Sequence, residues 1–192
     1  MPKMRDDELK GAIKFEAEKH IPFPINDCIV DHQVFRKNDN EGKLEILLVA
    51  AKKDFVMSKV SIAEESGFSV SAVDVDTFAV ANAFLKSPSH TSGGKTTALL
   101  NIGSNFTNVG IVRDGILCFA RDIAIGGDDF NQAISKAFGI DVKSAEDLKL
   151  SPKDKLQNVI ACTRSIANNL LDDTRLSLSY YENQRGRGVD EI

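Results

Sequence analysis

The feature that most constrains the fold is a series of strand-like segments that ends in a pair of glycines, Gly126-Gly127. Apolar runs bounded by turn residues predict the strands, which span residues 97–102, 106–112 and 116–119. The last two are joined through Asp114-Gly115, a dipeptide typical of tight hairpins. Residues 121–125 then lead to the glycine pair and to a helix predicted over 128–138. This order predicts a three-stranded antiparallel meander followed by a helix.

Two more helices are predicted after the meander. A short one covers residues 144–150. A long one begins near Pro152, which suits a first helical turn, and continues to about Tyr181 with apolar residues at a period of 3.6. The last residues, 189–192, read as the beginning of another strand.

The first half of the sequence predicts a small α+β unit in the order α-β-β-α-β-α. Its first helix begins at Asp6 or Asp7 and ends at about His20, before two prolines. Strands are predicted over residues 28–35, 44–51 and 68–75, with a turn at 38–42. The remaining helices are predicted over residues 54–67 and 77–85.

A stretch dense in Ser, Thr, Gly and Pro, residues 87–97, separates the two halves and is predicted to be a linker. Its Gly-Gly-Lys-Thr sequence suggests a phosphate-binding P-loop, but Ser89 stands where that motif requires glycine. A P-loop also needs a strand before it and a helix after it, whereas the opposite order is predicted here. The predicted organisation is therefore a domain at 1–86, the linker, and a domain at 98–192.

The composition excludes several classes of protein. The 192 residues have a formal net charge of −4, whereas non-specific nucleic-acid binding needs a basic surface. No apolar run reaches the roughly 20 residues of a membrane-spanning helix. The three cysteines have no Cys-x-x-Cys spacing, and the three histidines form no metal-ligand pattern. A reducing, cytoplasmic setting is the simplest interpretation of such cysteines.

The turn between the first two strands of the meander has a composition that favours phosphate binding. Glycine lets the backbone approach a phosphate, and backbone N–H groups with Ser and Thr hydroxyls can hold its oxygens. The candidate residues are Asn101, Gly103, Ser104, Asn105 and Thr107. Most glycine-containing hairpins bind nothing, so the turn alone does not establish a function.

Two further motifs follow this turn. Gly126 and Gly127 open the helix at 128–138, so its first N–H groups could face an anion at the turn. Glu146 and Lys149 stand three residues apart on one helix face, where the carboxylate could accept from ribose hydroxyls and the lysine could donate. The alternative for this pair is a solvated surface ion pair.

In this order, the three motifs resemble the second half of the actin-like ATPase fold, which includes actin, sugar kinases and heat-shock chaperone ATPases. The corresponding segments here are Asn101 to Thr107, Gly126-Gly127, and Ala145 to Lys149. Two further segments, Ile21-Pro22-Phe23 and Arg121-Asp122-Ile123, extend the resemblance. With them, the chain is similar over nearly its full length to the PilM family of type IV pilus assembly proteins.

The resemblance implies an α/β fold with two parts. Residues 1–86 would be an inserted α+β subdomain of the type that FtsA also has, and residues 98–192 part of an actin-like, ribonuclease H-like ATPase lobe. It implies ATP and Mg²⁺ as cofactors, with the hairpin and the glycine pair at the phosphates and Glu146 and Lys149 at the ribose. It also implies a cytoplasmic scaffold at the inner face of the inner membrane that binds the N-terminal peptide of PilN.

The chain departs from that pattern in two ways. Asn101 replaces the aspartate that heads the phosphate hairpin and helps to hold the metal, which removes a charge. The family's first phosphate loop and its later Gly-Gly segment are not found in the 192 residues. The resemblance therefore leads us to expect a truncated chain that hydrolyses ATP little or not at all and self-associates through an uncovered surface.

Three alternatives remain open at this stage. The chain could be an FtsA-like cell-division protein, because that family shares the inserted subdomain and the phosphate motifs. It could be an active enzyme such as a sugar kinase, which would require an aspartate at position 101. It could also be a two-domain interaction module that binds no nucleotide.

Overall fold

A computed structural model describes residues 2, 4–38, 43–87 and 94–192. The chain divides into two compact units, Met1–Val73 and Asp74–Ile192. The turn predicted at 38–42 and the predicted linker at 87–97 fall largely outside the described residues.

The first unit contains two helices and a two-stranded antiparallel sheet. Its elements are α1 (Asp6–His20), β1 (Cys28–Asn38), β2 (Lys43–Lys52) and α2 (Lys53–Glu65). The apolar residues that recur every four positions in α1 are buried, and Leu9 and Ile13 pack against Leu44 of β2. A helix that buries one stripe against a sheet is the outcome that the period predicts.

The strand predicted at 68–75 is not formed. In the described structure, residues 68–75 lie outside any helix or strand. Phe68 and Val73 have 71% and 57% of their surfaces exposed, so these apolar residues do not form a buried strand face. A strand also needs a hydrogen-bonding partner, and β1 and β2 pair with each other.

The second unit contains the predicted meander and four helices. Its elements are α3 (Asp76–Lys86), β3 (Thr96–Ile102), β4 (Thr107–Arg113), β5 (Ile116–Ile123), α4 (Gly127–Phe138), α5 (Val142–Leu150) and α6 (Leu156–Arg185). The strand order is β3-β4-β5, all antiparallel. Asp114 and Gly115 both have positive φ, 51° and 75°, as the predicted hairpin turn requires.

The structure groups α3 with the second unit, whereas the sequence division had placed residues 77–85 in the first. Thr77 and Ala81 of α3 are buried. A Cβ at Gly110 of β4 would lie 3.0 Å from Cγ2 of Thr77. A glycine in the middle of the central strand thus lets this helix pack closely on the sheet.

The boundaries of two predicted elements differ from those observed. The segment 121–125 was read apart from the third strand, but β5 continues to Ile123. The long helix begins at Leu156, after a 3-10 turn at Lys153–Lys155, and ends at Arg185, followed by Gly186 with a φ of 66°. Within the described residues, no helix is both long and apolar enough to cross a membrane.

The last residues, which the sequence indicated as the beginning of a strand, form an isolated bridge with β3. Glu191 forms a parallel bridge with Thr97. The N–H of Ala98 donates to the carbonyl oxygen of Glu191 at 2.8 Å, and Lys95 forms an ion pair with the Glu191 carboxylate at 3.0 Å. The ion pair lowers the pKa of Glu191 below its usual value.

Candidate phosphate-binding site

The site is built around the turn between β3 and β4. The N–H of Gly103 donates to the carbonyl oxygen of Phe106 at 2.9 Å and closes the turn. Residues 101–106 are exposed. In the described part of the chain, the N–H groups of Ser104 and Asn105 have no hydrogen-bond partner, while the Ser104 hydroxyl donates to Oδ1 of Asn105 at 2.6 Å. Two adjacent free N–H groups in an exposed turn are suited to an anion.

The turn is held against the N-terminus of α4. The N–H groups of Gly127 and Asp128 donate to the carbonyl oxygens of Gly103 and Ser104, each at 2.8 Å. The N–H of Gly126 donates to the Asp129 carboxylate at 2.8 Å. These first N–H groups of the helix were predicted to face an anion, but the chain itself occupies them.

Gly126 is required by the close approach of the turn. A Cβ at this position would lie 2.7 Å from the backbone nitrogen of Asn105 and closer still to the carbonyl group of Ser104. Backbone atoms cannot move aside as a flexible side chain can. The role that the structure shows for the glycine pair is therefore to seat the turn on α4.

Glu146 and Lys149 of α5 lie next to this junction. Lys149 Nζ is 2.6 Å from Glu146 Oε2 and 3.4 Å from the carbonyl oxygen of Gly127. Asn131 of α4 also donates to the Glu146 carboxylate. The hydrogen bond from Lys149, followed by that from Asn131, lowers the pKa of Glu146. The structure thus brings the helix pair and the glycine pair together, as the sequence motifs suggested.

Asn131 was missed by the sequence interpretation. It is 4% exposed, and its Oδ1 has no hydrogen-bond partner among the described residues. An asparagine at an apolar position of an amphipathic helix is the pattern that could have identified it, because buried polar groups need partners.

Thr107 does not face the turn. It is fully buried, and its hydroxyl donates to the carbonyl oxygen of Ile125 at 2.8 Å. This bond joins the start of β4 to the segment that follows β5. In the structure, therefore, the Thr107 hydroxyl fixes the position of the turn and is not exposed to a ligand.

Asn101 is joined to Asn108 and, through it, to Asp122, neither of which the sequence interpretation placed in the site. Its Nδ2 donates to Oδ1 of Asn108 at 2.9 Å, and Nδ2 of Asn108 donates to Oδ1 of Asp122 at 2.8 Å. Asn108 is 8% exposed within a strand that is otherwise almost entirely buried. That buried amide is the sequence feature that could have drawn attention to it.

The donor set of this site suits phosphate oxygens better than a bare metal ion. Free N–H groups at Ser104 and Asn105 and the ammonium group of Lys149 are the types of donor that phosphates bind. No group of three or more His, Cys, Asp or Glu side chains that could hold a metal occurs among the described residues.

The meander, the turn seated on α4 and the helices α5 and α6 give the second unit a mixed α/β fold. A solved chain described as "PilM-PilN type IV pilus biogenesis complex" matches with a TM-score of 0.85 and 24% identity, over 96% of this chain and 54% of that one. This chain thus spans about half the length of that solved chain. A family model described as "Type IV pilus assembly protein PilM" matches residues 1–192, and the chain belongs to that family.

Two other solved structures are less similar. Ethanolamine utilization protein EutJ from Carboxydothermus hydrogenoformans matches with a TM-score of 0.45 and 16% identity, over 56% of this chain and 37% of that one. MreB5 of Spiroplasma citri bound to ADP matches with a TM-score of 0.39 and 19% identity, over 52% and 31% of the two chains. The family membership and the α/β fold class predicted from the sequence are confirmed by the family match and the first solved chain.

Proposed function

We propose that the chain is a nucleotide-binding scaffold of type IV pilus assembly. Its membership of the PilM family supports a role in type IV pilus assembly. The observation that supports nucleotide binding is the exposed β3–β4 turn, which presents two free N–H groups and is hydrogen-bonded to Gly127, whose carbonyl oxygen Lys149 contacts. This arrangement offers an anion both oriented dipoles and a positive charge.

Each residue of the site would have a definite role toward ATP. The N–H groups of Ser104 and Asn105 would contact phosphate oxygens, while Gly103, Gly126 and Gly127 keep the turn in place. Glu146 and Lys149 would contact the ribose or the phosphate beside it. Mg²⁺, when bound with the nucleotide, would neutralise phosphate charge.

Hydrolysis by this chain is proposed to be slow. Asn101 supplies a neutral oxygen where the actin-like pattern has a carboxylate, so less negative charge is available to hold the metal and orient water. Phosphate release should remain far below an ordinary turnover of about 10 per second. A turnover near that value would contradict the proposal.

Calorimetric titration with Mg²⁺-ATP tests nucleotide binding directly. Lys149→Ala should weaken binding by about tenfold to 150-fold, the range for a hydrogen bond to a charged group. Lys143→Ala is the matched control, because Lys143 is an exposed lysine on the same helix, and it is Lys149 that contacts Glu146 and the Gly127 carbonyl oxygen. If the unmodified chain gives no binding heat and no chemical-shift change with Mg²⁺-ATP, it is better described as an interaction module that binds no nucleotide.

The proposed partner is the N-terminal peptide of a PilN-like inner-membrane protein, which would place the chain at the cytoplasmic face of that membrane. The first unit has an open groove between the end of α1 and β2, whose apolar lining includes Ile21, Phe23 and Leu48. Lys52 lies over the Phe23 ring at 4.1 Å from its centroid, so the groove combines apolar surface with a positive charge.

Fluorescence anisotropy of a labelled PilN peptide tests this assignment. Phe23→Ala should reduce the affinity, because aromatic anchors contribute much of the binding energy of such grooves. Phe15→Ala is the control, since Phe15 is an exposed phenylalanine on α1 that does not line the groove. Equal losses in both variants would show that the peptide binds elsewhere.

A further inference from the structure

Three neighbouring strands place polar side chains at matching positions of the meander. Asn101 of β3 lies opposite Asn108 of β4, and Asn108 lies opposite Asp122 of β5. Two side-chain hydrogen bonds, 2.9 and 2.8 Å long, join the three residues in a row across the sheet. The row ends at Asn101, two residues before the glycine that begins the phosphate-type turn.

The direction of these hydrogen bonds is set at the Asp122 end. An ionised carboxylate can only accept, so Asn108 must turn its NH₂ group toward Asp122. The Oδ1 atom of Asn108 then faces Asn101, which must donate. Asn101 has only one way left to orient its amide, and its own Oδ1 points away from the row. In the part of the chain that the structure describes, that oxygen accepts no hydrogen bond.

We propose that Asp122 is a positioning residue that acts through Asn108 to present the Asn101 oxygen as a hydrogen-bond acceptor at the phosphate turn. The proposal rests on the proposed nucleotide binding. Its ligand is a donor of the water class, such as a water held by Mg²⁺ on the bound phosphates. Asp122 lies two strand spacings from Asn101, roughly 10 Å, so it acts by fixing an orientation and does not contact this ligand itself.

This arrangement lets the neutral Asn101 supply the acceptor oxygen that an aspartate would supply at this position. An unrestrained asparagine can turn either its oxygen or its NH₂ group toward a site, and the NH₂ group would repel a cation or a donor. The carboxylate of Asp122 removes that ambiguity. Asn101 therefore offers an acceptor oxygen reliably, although it lacks the negative charge.

The first test is made without nucleotide, by NMR of the side-chain NH₂ groups in the ¹⁵N-labelled chain. Asp122→Asn keeps the shape of the side chain but no longer dictates the direction, and Asp122→Ala removes the acceptor. Both should shift the NH₂ signals of Asn108 and also those of Asn101. Asp114→Asn is the matched control, because Asp114 sits in the β4–β5 turn at a positive φ that asparagine tolerates. If the NH₂ signals of Asn108 shift but those of Asn101 do not, in both Asp122 variants, the proposal is overturned.

The second test compares ATP affinity with and without Mg²⁺. Asp122→Asn should reduce the gain in affinity due to Mg²⁺ by about twofold to tenfold, the range for one hydrogen bond, and leave the metal-free affinity nearly unchanged. A merely structural role would lower both affinities together. An unchanged gain in the Asp122→Asn variant would overturn the positioning role.

The two proposals fail in different ways. A chain that binds no ATP in any form refutes nucleotide binding and, with it, the ligand assigned to Asn101. The NMR comparison still decides whether Asp122 orients Asn101, because it needs no ligand. A chain that binds ATP but shows neither effect refutes only the positioning role.

Discussion

Gly126 shows how one residue can determine the form of the candidate site. The turn between β3 and β4 lies so close to α4 that a single additional carbon at Gly126 would collide with backbone atoms of Ser104 and Asn105. Backbone hydrogen bonds from Gly127 and Asp128 then hold the turn in this place. The position of the free N–H groups thus depends on a residue that has no side chain.

Gly126→Ala should therefore destabilise the fold by about 1–3 kcal/mol, the usual cost of overpacking, and weaken any binding at the turn. Gly11→Ala is the matched control, because no atom lies within 4 Å of a Cβ at this exposed position in α1. Gly11→Ala should stabilise the helix by up to about 1 kcal/mol. Chemical denaturation measures both changes, and similar unfolding curves for the two variants would contradict the account of Gly126.

The ion pair between Glu146 and Lys149 makes the stability of the fold depend on pH. The pKa of Glu146 lies below its usual value of 4.5 because Lys149 and Asn131 donate to the carboxylate. A carboxyl group with a lowered folded-state pKa stabilises the fold above about pH 4.5, and this contribution is lost as the pH falls through the folded-state pKa. The effect is small because Glu146 is solvent-accessible.

Lys149→Ala should raise the pKa of Glu146 toward its usual value, whereas Lys143→Ala should leave it unchanged. A ¹³C NMR titration of the side-chain carboxyl carbon measures this pKa directly. If the pKa of Glu146 did not move in Lys149→Ala, the ion pair seen in the structure would not persist in solution.

At the scale of elements, the packing of α3 on the meander depends on Gly110. A Cβ at Gly110 would lie 3.0 Å from Cγ2 of Thr77 and 3.2 Å from Cδ1 of Leu117. Both contacts are tighter than ordinary van der Waals separation. The central strand therefore has a glycine where the helix crosses it, although glycine is a poor strand former.

Gly110→Val should destabilise the second unit by about 1–3 kcal/mol through overpacking. Ala120→Val is the matched control, because Ala120 is exposed on β5 directly opposite Gly110. The milder Gly110→Ala should recover part of its loss when combined with Thr77→Ser, which removes the Cγ2 methyl group. Additive effects in this double-mutant cycle would show that Thr77 is not the residue that Gly110 accommodates.

The helices, strands and turns were predicted correctly where the backbone preferences of nearby residues determine them. The Asp114-Gly115 turn was predicted correctly because these residue types favour a positive φ, which both have. The predicted end of the helix at residue 138 is also observed, and Gly139 beyond it has a positive φ. The strand at 68–75 was predicted wrongly because a run of apolar residues does not supply a pairing partner. The continuation of β5 to Ile123 likewise depends on its pairing with Thr107 of β4.

At the scale of the whole molecule, the boundary between the two units decides which fragment can fold. The contacts place it between Val73 and Asp74, before α3, and not at the polar stretch 87–97. A fragment of residues 74–192 keeps Thr77 and Ala81 buried against the sheet, whereas a fragment of residues 87–192 exposes the surface that they cover.

We expect the fragment 74–192 to unfold cooperatively on heating and the fragment 87–192 to unfold at a temperature lower by several degrees, since a loss of about 1 kcal/mol shifts the midpoint of such a domain by about 4–8 °C. Circular dichroism at matched concentrations measures both. Equal midpoints would favour the boundary at residue 86 that the sequence suggested.

The sequence by itself determined the helices and the meander, the turn residues, and the set of motifs that identified the family, because these depend on periodicity and on the backbone preferences of nearby residues. It also placed Asn101, Gly126, Glu146 and Lys149 among the residues of interest.

Only the tertiary structure decided how those residues meet. The α4 N-terminus hydrogen-bonds the turn, Thr107 is buried, α3 belongs to the second unit, and Asn108 and Asp122 join Asn101. The physical reason is that each of these contacts joins elements distant in sequence. Their geometry depends on which strand pairs with which and on how closely a helix approaches the sheet, and local sequence patterns do not specify either.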